Sequence, residues 1–224
     1  MSSAWSYSSL STYIKCPRKY QAEKITREIP REDTEATIYG KAVHLAAEEY
    51  IRDGVPVPEQ FAYIQPMLDK LSALHGDKYC ELEMGIAVRD GKFEPCAFDA
   101  EDAWFRGIAD LVIIDGKECR LVDYKTSKSP KYADTKQLAL MAACIFLKFP
   151  QVNVVKGGLL FVVAKAFVKA EYKRDRRFDI FSELDGPLRQ LEVSRETDVW
   201  NTIPSGLCKK HCGVLSCPHN GRNA

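Results

Sequence analysis

Residues 105–128, FRGIADLVIIDGKECRLVDYKTSK, constrain this 224-residue chain more than any other stretch. Two apolar runs, 108–114 and 119–124, flank Asp115-Gly116, and an Asp-Gly step between apolar runs is the turn chemistry of an antiparallel hairpin. A turn centred on Gly116 and Lys117 pairs 115 with 118, 113 with 120 and 110 with 123. Directly opposed residues hold their Cβ atoms about 4.5–5.5 Å apart, so Asp110 and Asp123 would repel unless a cation lay between them. Period-two alternation places the Lys125 amine on the same face as Asp123. Val112, Ile113, Ile114, Leu121 and Val122 make these strands apolar on both faces, as expected of central strands covered on both sides. Acids in such a setting need a partner, and a divalent cation fits.

The length suits one domain, 1–224, with a sizeable core. Hydrophobic residues at 46% and charged residues at 28% argue against disorder. No apolar run approaches a membrane span, and MSSAWSYSSL lacks a basic and then apolar leader, so a cytoplasmic chain with no membrane partner is expected. A net charge of +1 gives no global attraction to nucleic acid, so any such binding must rest on local patches. One patch runs from Lys165 to Arg177, where Lys169, Lys173, Arg174 and Arg176 alternate with Phe167 and Tyr172. Another follows the hairpin with Lys128, Lys131 and Lys136. Lys128, Lys131, Lys173 and Arg174 are the expected backbone contacts. No G-x-x-x-x-G-K-[ST] loop is present, so nucleotide hydrolysis would not power the chain by itself.

Eight cysteines without an export signal are not expected to form disulfides. Cys80, Cys96, Cys119 and Cys144 are scattered and read as small buried hydrophobes. Cys208, Cys212 and Cys217 cluster in GLCKKHCGVLSCPHNG, an irregular segment able to wrap a metal with three thiolates, leaving a fourth ligand to be found.

The remaining chain reads as alternating helices and strands. Residues 8–24 suit a helix capped by Ser8 or Ser9, which Pro17 must kink or end. Residues 37–52 form a second helix with Val43, Ala47, Tyr50 and Ile51 as its stripe and His44 beside it. A third spans 59–75, interrupted by Pro66. Residues 80–89 alternate as a strand with Glu81 and Glu83 on one face, and 89–101 is a loop or short hairpin. A helix over 134–149, a buried strand over 154–163, an edge strand to Tyr172 and a helix over 175–200 complete the reading.

G-I-A-D followed after twelve residues by D-Y-K-T resembles the core of PD-(D/E)XK nucleases, and in particular their RecB-like branch. The opening SYSSLSTYIKCPRKYQ is similar to the S-x-L-x-x-Y-x-x-C-P-x-x-Y start of that branch, and Y-G-K-A-V-H to its G-x-x-x-H helix. The resemblance implies that Asp110, Asp123, the Tyr124 carbonyl and His44 bind Mg²⁺ or Mn²⁺ and that Lys125 positions the attacking water. It also implies a glutamate on the 80–89 strand, best matched by Glu83. Gln137 resembles the glutamine of a Q-x-x-x-Y motif whose tyrosine is replaced here by Met141. In the iron–sulfur members of this branch, similar to the AddB nuclease domain and CRISPR-associated adaptation exonucleases, one N-terminal and three C-terminal cysteines hold a [4Fe-4S] cluster. That implies Cys16, Cys208, Cys212 and Cys217. The tail here is C-x3-C-x4-C where the branch has C-x2-C-x5-C, so His211 or His219 and a Zn²⁺ site stay open as alternatives.

The implied fold is α/β, a restriction-endonuclease-like mixed sheet flanked by helices, with 1–24 and 204–221 joined at the cysteine site. The implied function is a metal-dependent DNA exonuclease acting on single strands or duplex ends, a phosphodiesterase with a possible recombination, replication or helicase partner. A zinc-stabilised nuclease and a non-catalytic nucleic-acid-binding module are the alternatives.

Overall fold

Helix formers and strand formers alternate along the chain, and the elements follow them. The computed structural model describes residues 4–29 and 33–222; residues 1–3 of the expected 1–24 segment lie outside them. In order these are helices α1 (Tyr7–Lys15), α2 (Pro17–Tyr20), α3 (Glu35–Asp53) and α4 (Gln65–Ser72), then strands β1 (Asp77–Arg89), β2 (Lys92–Cys96), β3 (Ala103–Asp115) and β4 (Glu118–Lys125). Helix α5 (Lys136–Lys148), strands β5 (Val154–Phe161) and β6 (Ala166–Lys173), and helices α6 (Arg177–Ser182) and α7 (Asp185–Thr197) follow. They divide into two compact units, Asp33–Ser182 and a second that joins the described residues 4–29 to 183–222. No helix among the described residues is long and apolar enough to cross a membrane.

The first unit holds a six-stranded sheet of order β2-β1-β3-β4-β5-β6. Only β4 and β5 run parallel, because α5 carries the chain across between them. The central hairpin has the expected register at 115 with 118 and 113 with 120, and Gly116 turns it at φ +59°, but the ladder ends at Leu111 with Val122, so the expected pair 110 with 123 is not part of it. Residues 89–101 prove to contain a hairpin. Asp90 and Gly91 both take left-handed φ, 50° and 73°, as a two-residue turn between β1 and β2 requires.

One core joins Leu111, Ile113, Val122, Tyr124 and Leu160 of the sheet to Val43, Ala46, Ala47 and Ile51 of α3, with Phe61, Ile64 and Leu68 from the α4 region. Each aliphatic side chain so buried contributes about 1.5–3 kcal/mol. Thr34 caps α3, accepting from the Thr37 N–H, and Gly54 ends it at φ 71°. Pro66 begins a helix and does not interrupt one, because it falls in the first turn of α4, where no N–H is needed. The C-terminus of α5 is held by Arg174, whose Nη1, Nη2 and Nε donate to the carbonyls of Phe146, Phe149 and Val152, each at 2.7 Å.

In the second unit the expected 8–24 helix is broken. Ser6, not Ser8 or Ser9, caps α1 in a reciprocal box with Ser9. Cys16 is extended at φ −167°, and Pro17 restarts the chain as the first residue of α2. Tyr13 Oη and Ser194 Oγ of α7 bond at 2.8 Å, and Arg195 donates to Tyr20 Oη at 2.7 Å. Trp200 stacks on Tyr20 at 5.9 Å. Arg18 grips Glu28 at 2.8 Å and donates to Ser216 at 2.7 Å, fastening the tail to the first segment. The helix expected over 175–200 is also broken, into α6 and α7. Pro187 is the third residue of α7, and a proline is tolerated only in a first turn, so a helix must start just before it.

Candidate active site

The residues singled out around the hairpin meet where its ladder ends. The last paired residues of β3 and β4 are Leu111 and Val122, and one step beyond them the Asp110 carboxylate accepts the Tyr124 N–H at 2.7 Å. Helix α3 brings His44 over the same point. Its Nε2 lies 3.0 Å from the Tyr124 carbonyl oxygen and its Nδ1 3.5 Å from Asp110 Oδ2. Lys125 Nζ lies 2.6 Å from Asp123 Oδ2 and 3.5 Å from Gln137 Oε1 on α5. Met141, where the resemblance has a tyrosine, is buried with its methyl group over Gly107.

The glutamate that the structure brings to this group is Glu81, where the resemblance is best matched by Glu83. Ligand atoms of His44, Glu81 and Asp110 all lie within 4.8 Å of one another, a group able to hold a metal ion. Glu83 is exposed, pairs with Ile108 and is not a member of that group. The cause is local backbone: Glu81 takes φ 48°, and the pairing of β1 with β3 steps from Cys80–Leu111 to Leu82–Ala109 around Glu81 and Asp110. A non-glycine residue in left-handed conformation within a strand is strained, and such strain concentrates at functional sites. No alternation pattern could show it.

The electrostatics are those of crowded, half-dry acids. Burial, then the Asp123 charge, raises Asp110 well above the usual carboxylate range, and burial with the charges of Glu48 and Asp123 raises Glu81. Burial lowers His44, outweighing the attraction of Asp123, so its imidazole is held neutral and keeps a lone pair for a metal. A groove lined by Gly40, Lys41, His44, Glu48, Glu81 and Thr126 opens beside these groups.

The basic residues divide. Lys128 and Lys131 are exposed on the segment between β4 and α5, next to Lys125 in sequence. Lys173 pairs with Val154, which pairs with Glu118, so it lies at the turn end of the sheet and not at the Lys125 end. Arg174 is consumed by the three carbonyls of the α5 terminus. Neither is placed to hold a strand at the acid cluster.

In the second unit Cys16, Cys208, Cys212 and Cys217 line one pocket with His219. His211 lines the adjoining groove with Lys15 and Lys19. Among the described residues no three of these sulfur and imidazole atoms lie within 4.8 Å of one another. Cys119 and Cys144 are buried and Cys80 and Cys96 half-buried, away from this pocket.

The family model of the PD-(D/E)XK nuclease superfamily matches residues 4–217. The chain belongs to that superfamily. Its sheet and flanking helices are therefore a restriction-endonuclease-like fold, and membership implies a phosphodiester hydrolase acting on nucleic acid with divalent metal. A solved structure described as a "Putative exonuclease" from Eubacterium rectale is similar in fold, with TM-score 0.56 at 10% identity over 96% of this chain and 90% of that one. The crystal structure of SSO0001 is similar with TM-score 0.50 at 16% identity over 98% of this chain and 88% of the other. No curated protein matches in sequence.

Proposed function

We propose that this chain is a divalent-metal-dependent DNA nuclease, an exonuclease that hydrolyses phosphodiester bonds from strand ends, with a [4Fe-4S] cluster fastening its two terminal segments. The observation that carries the catalytic half is the convergence of His44, Glu81 and Asp110 beside the Asp123–Lys125 pair. Two crowded acids and a neutral imidazole fit a hard divalent cation, and the nitrogen donor favours Mn²⁺ over Mg²⁺. The His44 Nε2–H donates to the Tyr124 carbonyl at 3.0 Å, so an ion held by both groups would take the place of that hydrogen bond.

His44, Asp110, Asp123 and the Tyr124 carbonyl, joined by Glu81, would hold Mg²⁺ or Mn²⁺. Such an ion, when bound, polarises the phosphate and makes its bound water acidic. Lys125, held by Asp123 and steadied by Gln137, orients the nucleophile and offsets the negative charge that develops on the phosphoryl oxygens. Lys128 and Lys131 hold the incoming strand. A recombination, replication or helicase partner in the cytoplasm would deliver that strand if the substrate is duplex.

The cysteine half rests on the resemblance of the Cys16 and tail motifs to the iron–sulfur members and on the four cysteines lining one pocket. Four thiolates suit either a zinc ion, with ligands at about 2.3 Å, or an iron–sulfur cluster. A cluster with its own bridging sulfides takes wider-set cysteines. His219 is the remaining donor in the pocket.

Purified protein with Mn²⁺ should degrade end-labelled linear DNA and spare covalently closed circles. Cutting of circles would replace the exonuclease with an endonuclease, and intact DNA in both reactions, with salt-sensitive binding retained, would leave a binding module. The same preparation should be brown and contain iron. A colourless protein with stoichiometric zinc would replace the cluster.

A further inference from the structure

We propose that Phe167, flanked by Lys165 and Lys169, is a stacking seat for one unpaired base of the substrate strand at the active-site end of the sheet. This rests on the nuclease reading for its ligand, but the geometry behind it is separate. Phe167 pairs with Leu160, and Leu160 pairs with Tyr124, so the ring stands two strands, about 10 Å, from the backbone that His44 contacts. The turn between β5 and β6 carries Lys165, and it is tied to the catalytic strand by the Val162 N–H, which donates to the Lys125 carbonyl at 2.9 Å.

The ring is placed for a ligand and not for the core. Phe167 is 46% exposed. Beneath it lies Gly158, where a Cβ would come within 2.0 Å of the ring, so a glycine at that point lets the ring rest directly on the sheet backbone. One side of the ring rests on main chain, and the Lys169 ammonium stands over the ring at the outer limit of a cation–π contact, from which a stacking base would displace it toward the phosphate. Lys169 lies 6.0 Å from its centroid, and Lys165 is exposed at the turn with φ 52°. The alternation of β6 sets Phe167, Lys169, Glu171 and Lys173 on its exposed side, with the cations nearest the ring at the Lys125 end.

An aromatic face with lysines at its edge is the combination that non-specific single-strand binders use, the ring for the base and the amines for the phosphates. A duplex offers no free base face, so the seat selects an unpaired nucleotide. A protein partner would ask for a wider apolar patch than one ring between two lysines. The seat also takes the place of the Lys173 and Arg174 contacts read from the sequence. Lys173 is seven residues along β6 from Ala166, about 23 Å from the catalytic end.

The test uses the full-length protein in EDTA, where no cleavage intervenes, and a short oligothymidylate carrying one 2-aminopurine. Stacking should quench the probe in the wild-type protein. F167A and F167L should each abolish the quench and weaken binding about tenfold, while F167W retains both. F167L keeps an apolar side chain over Gly158, so its loss reads the aromatic face and not the fold. Wild-type quenching and affinity in F167L, or no quenching by the wild-type protein at saturation, would overturn the seat. Failure of the nuclease reading is registered elsewhere, by the wild-type protein with Mn²⁺ and linear DNA.

Discussion

The two places where ligand-type side chains gather are built in opposite ways. The acid site draws on α3, β1, β3 and β4, and every one of those elements is pinned by a core that includes Leu111, Val122 and Tyr124. The cysteine pocket draws on residues at both ends of the chain, and among the described residues one apolar cluster beside it is Ala22, Val214 and Cys217, with Ile29 and Cys212 against it. Two of the four proposed cluster ligands are therefore part of the local core. A site framed by a sheet can lose its metal and keep its shape; a site that supplies its own core cannot. On the proposed reading, the first metal would be a reagent and the second a rivet.

The largest effect that tests this contrast is in the tail. C217S should give colourless protein whose C-terminal segment is cut by protease while residues of the sheet stay protected, whereas D123N should leave iron content and protease pattern at the wild-type level. Retained iron and a protected tail in C217S would end the distinction.

Next comes the glutamate. E81Q should lower DNA cleavage by about 10²–10³-fold, the scale of losing one well-placed electrostatic group, and E83Q should cut as the wild type does. Equal losses in the two variants would return the site to the alternation read from the sequence.

A smaller effect concerns stability without metal. Asp110 is raised above its ordinary range by burial and by Asp123, so its ionisation opposes folding. A raised folded-state value means stability is fully present below the unfolded carboxyl range and is lost as pH rises toward the folded value. D110N should remove that loss and raise the melting temperature in EDTA at neutral pH, at about 2–4 °C per kcal/mol relieved. The same variant should lose the stabilisation that Mn²⁺ gives the wild type, measured as a metal-dependent shift in melting.

The smallest effect lies in the tail unit. The Arg18 guanidinium, with Thr26 and Ser216, holds Glu28 down at about 2. A lowered value contributes stability above the ordinary 4.5 that fades as pH falls through about 2. E28Q should flatten that acid limb of the unfolding curve only slightly, because the pair is partly solvated.

The sequence carried the hairpin register, because an Asp-Gly turn between two apolar runs leaves one pairing that faces 113 with 120. It carried Asp110, Asp123 and Lys125 through the hairpin register and strand alternation, which are local patterns, and His44 only through the resemblance of Y-G-K-A-V-H to the G-x-x-x-H helix. It did not carry Glu81, whose placement depends on a left-handed residue in β1 and on how β1 registers against β3. It misjudged Arg174 for a related reason. A charge run looks the same whether its members meet phosphate or the end of a helix, and only the fold brings three carbonyls to one guanidinium.

That guanidinium has a further consequence. By grasping Phe146, Phe149 and Val152 together, Arg174 turns the stretch that leaves α5 for β5 into a rigid splice, though it reads as an ordinary surface connection. A flat fork with fixed spacing measures the chain it holds, and a lysine has no such ruler. Lengthening this connection by even one residue would slide β5 against β4 and carry Phe161 out of step with Lys125.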